Sequence, residues 1–238
     1  MKKLRKILLL AVVCWILAPI GSKASAKPTV KESAQLPELS KWILDETGMM
    51  LYAISEKEKC LLFINAASMK VEKKITFETA PTDLTMDGNE LVIAHNSSRE
   101  IRIVDVKSRT IEKTIKTGYD PYSIAKDGDK LFYSSRRDRL TIFEYDMLRG
   151  SEKAIANRSD TRSCLAVNTE KHMLYVGSTE NSTTEIWYYN TITRDRSVET
   201  GRKKQENLDK PVRNVYCDGG TVYYDGYRMD ASDIKKSV

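Results

Sequence analysis

Two histidines and four cysteines among 238 residues leave few metal-ligating or redox groups. His95 closes an apolar run and His172 lies in a turn, positions that project to opposite faces of the strand pattern below, so the two should not share a metal. No His/Cys/carboxylate cluster occurs at ligand spacing, which argues against a metalloenzyme or a copper site. Gly-x-Ser-x-Gly is missing, so Ser-His-Asp hydrolysis lacks support. Asp87-Gly88 and Asp127-Gly128 stand outside any D-x-D-x-D-G run and read as hairpin turns, not calcium loops. No catalytic residue, metal or cofactor is expected.

Long helical periodicity is also missing beyond the N-terminal stretch. The formal charge of +6 misleads: Lys2, Lys3, Arg5, Lys6 and Lys23 lie in residues 1–26 with no acid, and removing those five brings it to +1. A nearly neutral remainder gives no electrostatic case for nucleic acid. Cys60, Cys164 and Cys217 follow the first 26 residues, an odd set with no short spacing. Three separately buried thiols suit their apolar neighbours, and one bridge with a leftover thiol stays open.

Residues 1–26 have the parts of a secretory signal. A basic start precedes the apolar run Ile7–Ile20, and Ala24-Ser25-Ala26 supplies small residues before Lys27. The alternative is an uncleaved anchor, but 14 apolar residues fall short of the ~20 that span a bilayer. Cys14 lacks the small preceding residue of a lipobox. Cleavage and a secreted or extracytoplasmic location (cell surface or periplasm) are therefore expected, with no stable membrane span afterwards. Residues 27–39 read as an exposed lead-in, with a short strand at Thr29–Ala34 or a disordered tether.

From residue 40 the chain repeats. Asn65, Asp105, Asp146, Asn190 and Asp230 each close an apolar run and open a turn, because a short Asx side chain can bond its own backbone two residues on. One aliphatic follows each: Ile75, Ile115, Ile155, Val198 and Val238, spaced 40, 40, 43 and 40 residues apart. Period-two alternation places four strands in a unit, for example Asp83–Met86, Glu90–His95, Ile101–Val106 and Thr110–Thr117 in the second. Four short antiparallel strands every ~40 residues is the arithmetic of a β-propeller blade. The fold class is all-β, with five units over residues 40–80, 81–120, 121–160, 161–210 and 211–238.

The stretch from Val104 to Tyr133, V-D-V-K-S-R-T-I-E-K-T-I-K-T-G-Y-D-P-Y-S-I-A-K-D-G-D-K-L-F-Y, resembles the YVTN-type propeller repeat of bacterial and archaeal secreted and surface proteins. Asp105, Gly118, Pro121, Asp127-Gly128 and Tyr133 carry the likeness, which is good in the second and third units, partial in the first and fourth and poor in the fifth. The resemblance implies a fold and an extracytoplasmic location, with no catalytic residues. The family's common form has seven blades. A chain that stops at the fifth aliphatic is therefore expected to be a piece of a larger array, the rival being a ring closed by five blades.

With the four strands of a unit lettered A to D in chain order, antiparallel geometry puts the B–C and D–A loops at one end of each blade, the loop face, and the A–B and C–D turns at the other, the turn face. That loop face collects Arg136, Arg137, Arg139, Arg158 and Arg162, with Tyr119 in the Gly118-Tyr119-Asp120-Pro121 link. These are the candidate ligand-binding residues, suited to an anionic surface. Charge runs more often mark a solvated face, and Asp138, Asp160 and Glu206 dilute this one. Tyr52, Tyr133, Tyr175 and Tyr223 fall in second strands and read as blade packing; in Trp187-Tyr188-Tyr189, inter-blade packing is the better reading than sugar stacking. The functional expectation is a non-enzymatic binding scaffold at the cell envelope, with a protein or an anionic envelope polymer as partner. The rivals are an accessory or cofactor-binding propeller of quinoprotein type in an oxidoreductase system, and an assembly module whose edge pairs with another chain.

Overall fold

The second and third strands of the repeat are apolar on both faces, so each sheet needs neighbours to bury it. The computed structural model describes residues 36–45, 47–135, 137, 140–157, 163–178, 184–202, 214–224 and 227–237. They form five four-stranded antiparallel meanders arranged as a five-bladed β-propeller. Blade 1 holds β1 Lys41–Asp45, β2 Met50–Ser55, β3 Cys60–Asn65 and β4 Lys70–Thr76. Blade 2 holds β5 Asp83–Asp87, β6 Glu90–His95, β7 Glu100–Asp105 and β8 Thr110–Lys116. Blade 3 holds β9 Pro121–Asp127, β10 Lys130–Ser135, β11 Leu140–Asp146 and β12 Ser151–Asn157. Blade 4 holds β13 Ser163–Asn168, β14 Met173–Ser178, β15 Thr184–Asn190 and β16 Arg196–Arg202. Blade 5 holds β17 Val215–Asp218, β18 Thr221–Tyr224, β19 Tyr227–Asp230 and β20 Asp233–Ser237. The only helical piece among the described residues is a 3-10 turn, Asn96–Ser98. The lead-in strand expected at Thr29–Ala34 and the whole of residues 1–26 lie outside the described residues.

The middle strands serve two cores. In β6, Leu91 and Ile93 pack toward blade 1, while Val92 and Ala94 pack toward blade 3. Further clusters join blades 3 and 4 around Phe132 and Trp187, and blades 4 and 5 around Tyr175 and Tyr224. On the far side of blade 1, Ala53, Cys60, Leu62 and Ile64 are packed by Leu36, Leu39 and Leu51. Outer strands β4 and β8 are exposed and rich in Lys and Glu, which blunts their free edges. The aliphatics Ile75, Ile115 and Ile155 anchor the outer strands to the cores.

The repeating turn is visible atom by atom. Asn65, Asp105, Asp146, Asn190 and Asp230 each accept a backbone N–H two or three residues on, at 2.5–3.1 Å. The residue after each Asx donates to the A–B turn of its own blade: Ala66 to Met49, Val106 to Asn89, Met147 to Asp129, Thr191 to His172 and Ala231 to Gly220. Four residues past the Asx the backbone turns left-handed at Met69, Arg109, Gly150 and Arg194. Only the third blade uses glycine there, so the other three pay the steric cost of a Cβ, about 1–2 kcal/mol each.

The aromatics divide with one correction. Tyr52, Tyr133 and Tyr175 are buried packing residues, as are Trp187 and Tyr189. Tyr223 is 40% exposed, and Tyr224 fills the buried position instead. Tyr223 was expected among the packing residues, but alternation along β18 puts Tyr224 inside and Tyr223 outside. Cys60, Cys164 and Cys217 are free, the first two buried and the third half-buried.

At the propeller axis, Asp83 opens β5 and is almost fully buried. Its Oδ1 takes the Lys41 ammonium of β1 and the Leu84 N–H at 2.9 Å; its Oδ2 takes the Ser123 hydroxyl at 2.7 Å and the Ile124 N–H at 2.8 Å. Ser123 Oγ in turn accepts the Leu165 N–H at 3.1 Å. One carboxylate thus joins inner strands β1, β5 and β9 and, through Ser123, β13.

Two outcomes test this packing. Asp83→Ala should cost about 3–5 kcal/mol of stability by stranding the donors converging on a buried anion, read as a lower urea midpoint at unchanged m value. A loss below about 1 kcal/mol would show the axial bonds to be incidental. A Cβ on Gly177 would lie 2.3 Å from Tyr224 Cε2, a ring held in the core between blades 4 and 5. Gly177→Ala should therefore destabilise by about 1–3 kcal/mol in the same assay.

Candidate functional site

The loop face comes together where blades 1, 2 and 3 present their connections. The 3-10 turn at Asn96–Ser98 ends with Arg99 in a left-handed conformation, φ +53°. Thr117 N–H donates to Arg99 O at 3.0 Å, and Thr79 Oγ1 lies 3.2 Å from Ser98 Oγ. The B–C loop of blade 2 is thereby stitched to the D–A links on both sides of it.

Asp120 precedes Pro121, which holds it extended, and is almost fully buried. Its Oδ1 accepts Arg99 Nε–H at 2.8 Å, and its Oδ2 forms an ion pair with Arg137, 3.0 Å from Nε. Arg99 also donates from Nη1 to Gly118 O at 3.3 Å. A cavity of about 240 Å³ opens beside this pair, lined by Asn96, Ser97, Asp120 and Arg137. The Arg99 and Arg137 side chains are 53% and 74% exposed. One buried carboxylate thus holds two solvent-facing guanidiniums by their Nε edges.

Of the residues singled out in sequence, Arg137 lines the cavity, while Arg136, Arg139, Arg158 and Arg162 lie outside the described residues. Tyr119 is half-buried and stacks on Phe143, centroids 4.0 Å apart, which stacks on Tyr133 at 5.1 Å. Tyr119 therefore props the Gly118–Asp120 link from below. Tyr133 donates to Glu152 Oε2 at 2.6 Å, and that carboxylate accepts Gly118 N–H at 3.3 Å. Burial, then Glu152, push the Tyr133 phenol pKa far up, so it stays a donor. Asn96, Ser97, Arg99 and Asp120 were not singled out as ligand-facing side chains. The signal available was their position in one B–C loop and the following D–A link.

Behind the cavity lies a second polar chain. Glu100 is held by Lys116, by Arg102 Nη2 at 2.9 Å and by Ser98 Oγ at 3.1 Å. The Lys116 bond above all, helped by Arg102 and Ser98 against the opposing effect of burial, brings its pKa down to about 2. His95 is fully buried, edge-on to Phe77 at 4.7 Å, with Nδ1 3.2 Å from Thr79 O. Arg102 lies over the same ring at 5.2 Å. His95 Nε2 and Arg102 Nε have no hydrogen-bond partner among the described residues. His172 pairs with Asp127 across blades 3 and 4, Nδ1 to Oδ2 3.0 Å, so the two histidines serve different interfaces. Among the described residues, no group of three or more His, Cys, Asp or Glu is placed to hold a metal. No described helix is long and apolar enough to cross a membrane.

No protein-family model matches the chain, and no curated protein matches it in sequence. Solved structures do match. A nidogen/laminin complex is similar at TM-score 0.62 and 15% identity, covering 83% of this chain and 77% of that one. The likeness is one of fold. Hydrazine synthase of Kuenenia stuttgartiensis follows at TM-score 0.55 and 13% identity, with 87% and 71% covered. A computationally designed protein is similar at TM-score 0.56 and 10% identity over 79% of this chain, which spans about half, 55%, of that chain's length. Together with the five blades, these establish a β-propeller.

His95 gives this region a pH signature. Burial first, then the Arg102 charge, lower its pKa to about 4 from 6.5. The folded state therefore favours neutral imidazole. Stability is full above the unfolded value and falls as pH drops from 6.5 toward 4, by roughly 3 kcal/mol in total. Urea unfolding between pH 7 and 4 should show that slope in the wild type and a much flatter one in His95→Gln. Glu100 loses its contribution lower, between its ordinary 4.5 and about 2, so the two windows separate.

Proposed function

We propose that this chain is a non-enzymatic binding propeller of the extracytoplasmic space, exported by the signal in residues 1–26. Its loop face between blades 2 and 3 meets an anionic partner at the cell envelope. The observation that carries the reading is the cavity beside Asp120, where Arg99 and Arg137 are fixed through Nε yet exposed to solvent. Anchored guanidiniums bind oxyanions at a lower entropic cost than freely moving ones. The turn face is occupied by structural bonds that recur in every blade, whereas the loop side chains differ in sequence from blade to blade. Scaffolds of repeated elements place recognition on such variable loops. The nidogen/laminin structure supports the reading as a propeller with a protein partner.

Envelope material from the producing cell should retain the wild-type protein at low salt, with retention falling as salt rises. The double substitution Arg99→Gln with Arg137→Gln should lower retention by tenfold or more. Equal retention of both forms would contradict the loop-face assignment. The intact mass of the exported protein should correspond to loss of residues 1–26, and recovery of the full-length mass would contradict export by a cleaved signal.

A further inference from the structure

Resting on the loop-face reading above, we propose that the cavity beside Asp120 is a subsite for a single carboxylate group. Three features select that chemistry. Charge comes first: Arg99 and Arg137 bring two positive charges and Asp120 removes one, leaving a single positive charge to match a singly charged oxyanion. Glu100 and its partners Lys116 and Arg102 are not among the residues that line the cavity. A phosphate monoester, closer to two negative charges, would leave one unmatched beside the buried Asp120.

Geometry comes second. Asp120 takes Nε of Arg99 and pairs with Arg137 at an Nε–Oδ2 distance of 3.0 Å, and Gly118 O takes Nη1 of Arg99. Among the described residues nothing takes the Nη edge of Arg137, on the cavity wall, and that edge can make the paired N–H donation that fits the two oxygens of a planar carboxylate. The Asn96 amide and Ser97 hydroxyl line the same cavity and add uncharged donors. Size comes third. About 240 Å³ lies below the ~300–1,000 Å³ that encloses a drug-sized ligand. It suits the end of a side chain or a small organic acid more than a whole cofactor.

The carboxylate could belong to an acidic peptide or to a free organic acid, and calorimetric titration of the exported protein separates these sources. The probes are a hexaglutamate peptide, a hexaglutamine peptide, acetate, N-acetylglutamate and inorganic phosphate. Hexaglutamate should bind and hexaglutamine should not. Acetate or N-acetylglutamate should displace hexaglutamate more effectively than phosphate at equal ionic strength. Binding of the small acids with a strength close to that of the peptide identifies a free acid as the source; peptide binding tenfold or more tighter identifies an acidic chain. Arg137→Gln should weaken hexaglutamate binding about tenfold or more, and Arg137→Lys should recover only a minor part, because the ammonium keeps the charge but not the fork. Arg137→Gln leaves the buried Asp120 with Arg99 alone, so a lowered unfolding midpoint is expected for it and a smaller change for Arg137→Lys; binding is therefore compared under conditions where both variants are fully folded. Full recovery by lysine, or phosphate competing as well as the carboxylates, would overturn the assignment in favour of a diffuse electrostatic face. If envelope material is retained through Arg99 and Arg137 but no carboxylate probe competes, the carboxylate chemistry fails while the loop-face reading holds. If retention is independent of both arginines, the loop-face reading fails and the subsite with it.

Discussion

A buried carboxylate with four donors is the constraint on which the propeller depends. Removing an anion from water costs several kcal/mol unless its lone pairs are met. Asp83 meets them with the Lys41 ammonium, the Ser123 hydroxyl and two backbone N–H groups. Each donor comes from an inner strand, and those strands belong to blades 1, 2 and 3. Apolar packing between blades is tolerant of sliding, because aliphatic contacts have no fixed direction. A saturated carboxylate is not tolerant, so it fixes the register of consecutive blades about the axis. Ser123 extends the fixation to blade 4 by donating to Asp83 and accepting from Leu165.

The same division between tolerant and directional contacts recurs farther out. Each joint from blade 1 to blade 5 has an apolar cluster and at least one polar tie. Arg109 reaches Glu72, Lys126 reaches Asp87 and Glu90, Arg194 reaches Glu144, and Asn168 reaches Gly219 O. Burial supplies most of the free energy, about 25 cal/mol per Å² of apolar surface. The ties contribute less energy and more geometry. Arg194 makes its tie from a left-handed backbone, φ +73°.

What was legible in the sequence follows this division. The five Asx residues spaced by about one blade could be read because each acts within its own turn, on N–H groups two or three residues away. Strand alternation was legible for the same local reason. Tyr223 was misplaced because blade 5 has the shortest strands and the weakest likeness to the repeat, and nothing nearby marks which tyrosine faces inward. Asp83 was placed as the first residue of a strand and nothing more, since its partners Lys41 and Ser123 are 42 and 40 residues away. The Arg99–Asp120–Arg137 cluster was hidden likewise. The loop face and its arginines could be anticipated from strand direction, but the pairing through one carboxylate is a fact of three dimensions.

That hidden cluster clarifies why recognition should fall on this end of the molecule. At the turn end, the Asx side chain and the N–H that follows it are bound in every blade, so a substitution there disturbs folding before it changes a ligand. At the loop end, Phe77 N–H to Lys59 O and Thr117 N–H to Arg99 O repeat, but they are backbone bonds that leave the loop side chains unassigned. Asp120 then does in the loops what Asp83 does at the axis: it is buried and gathers cationic donors. The difference lies in the donors. Lys41 is largely enclosed, whereas Arg99 and Arg137 remain exposed and each retains donors beyond the one given to Asp120. An enclosed ammonium is consumed by the fold; a guanidinium fixed at one edge and open at the other keeps binding capacity in a defined direction.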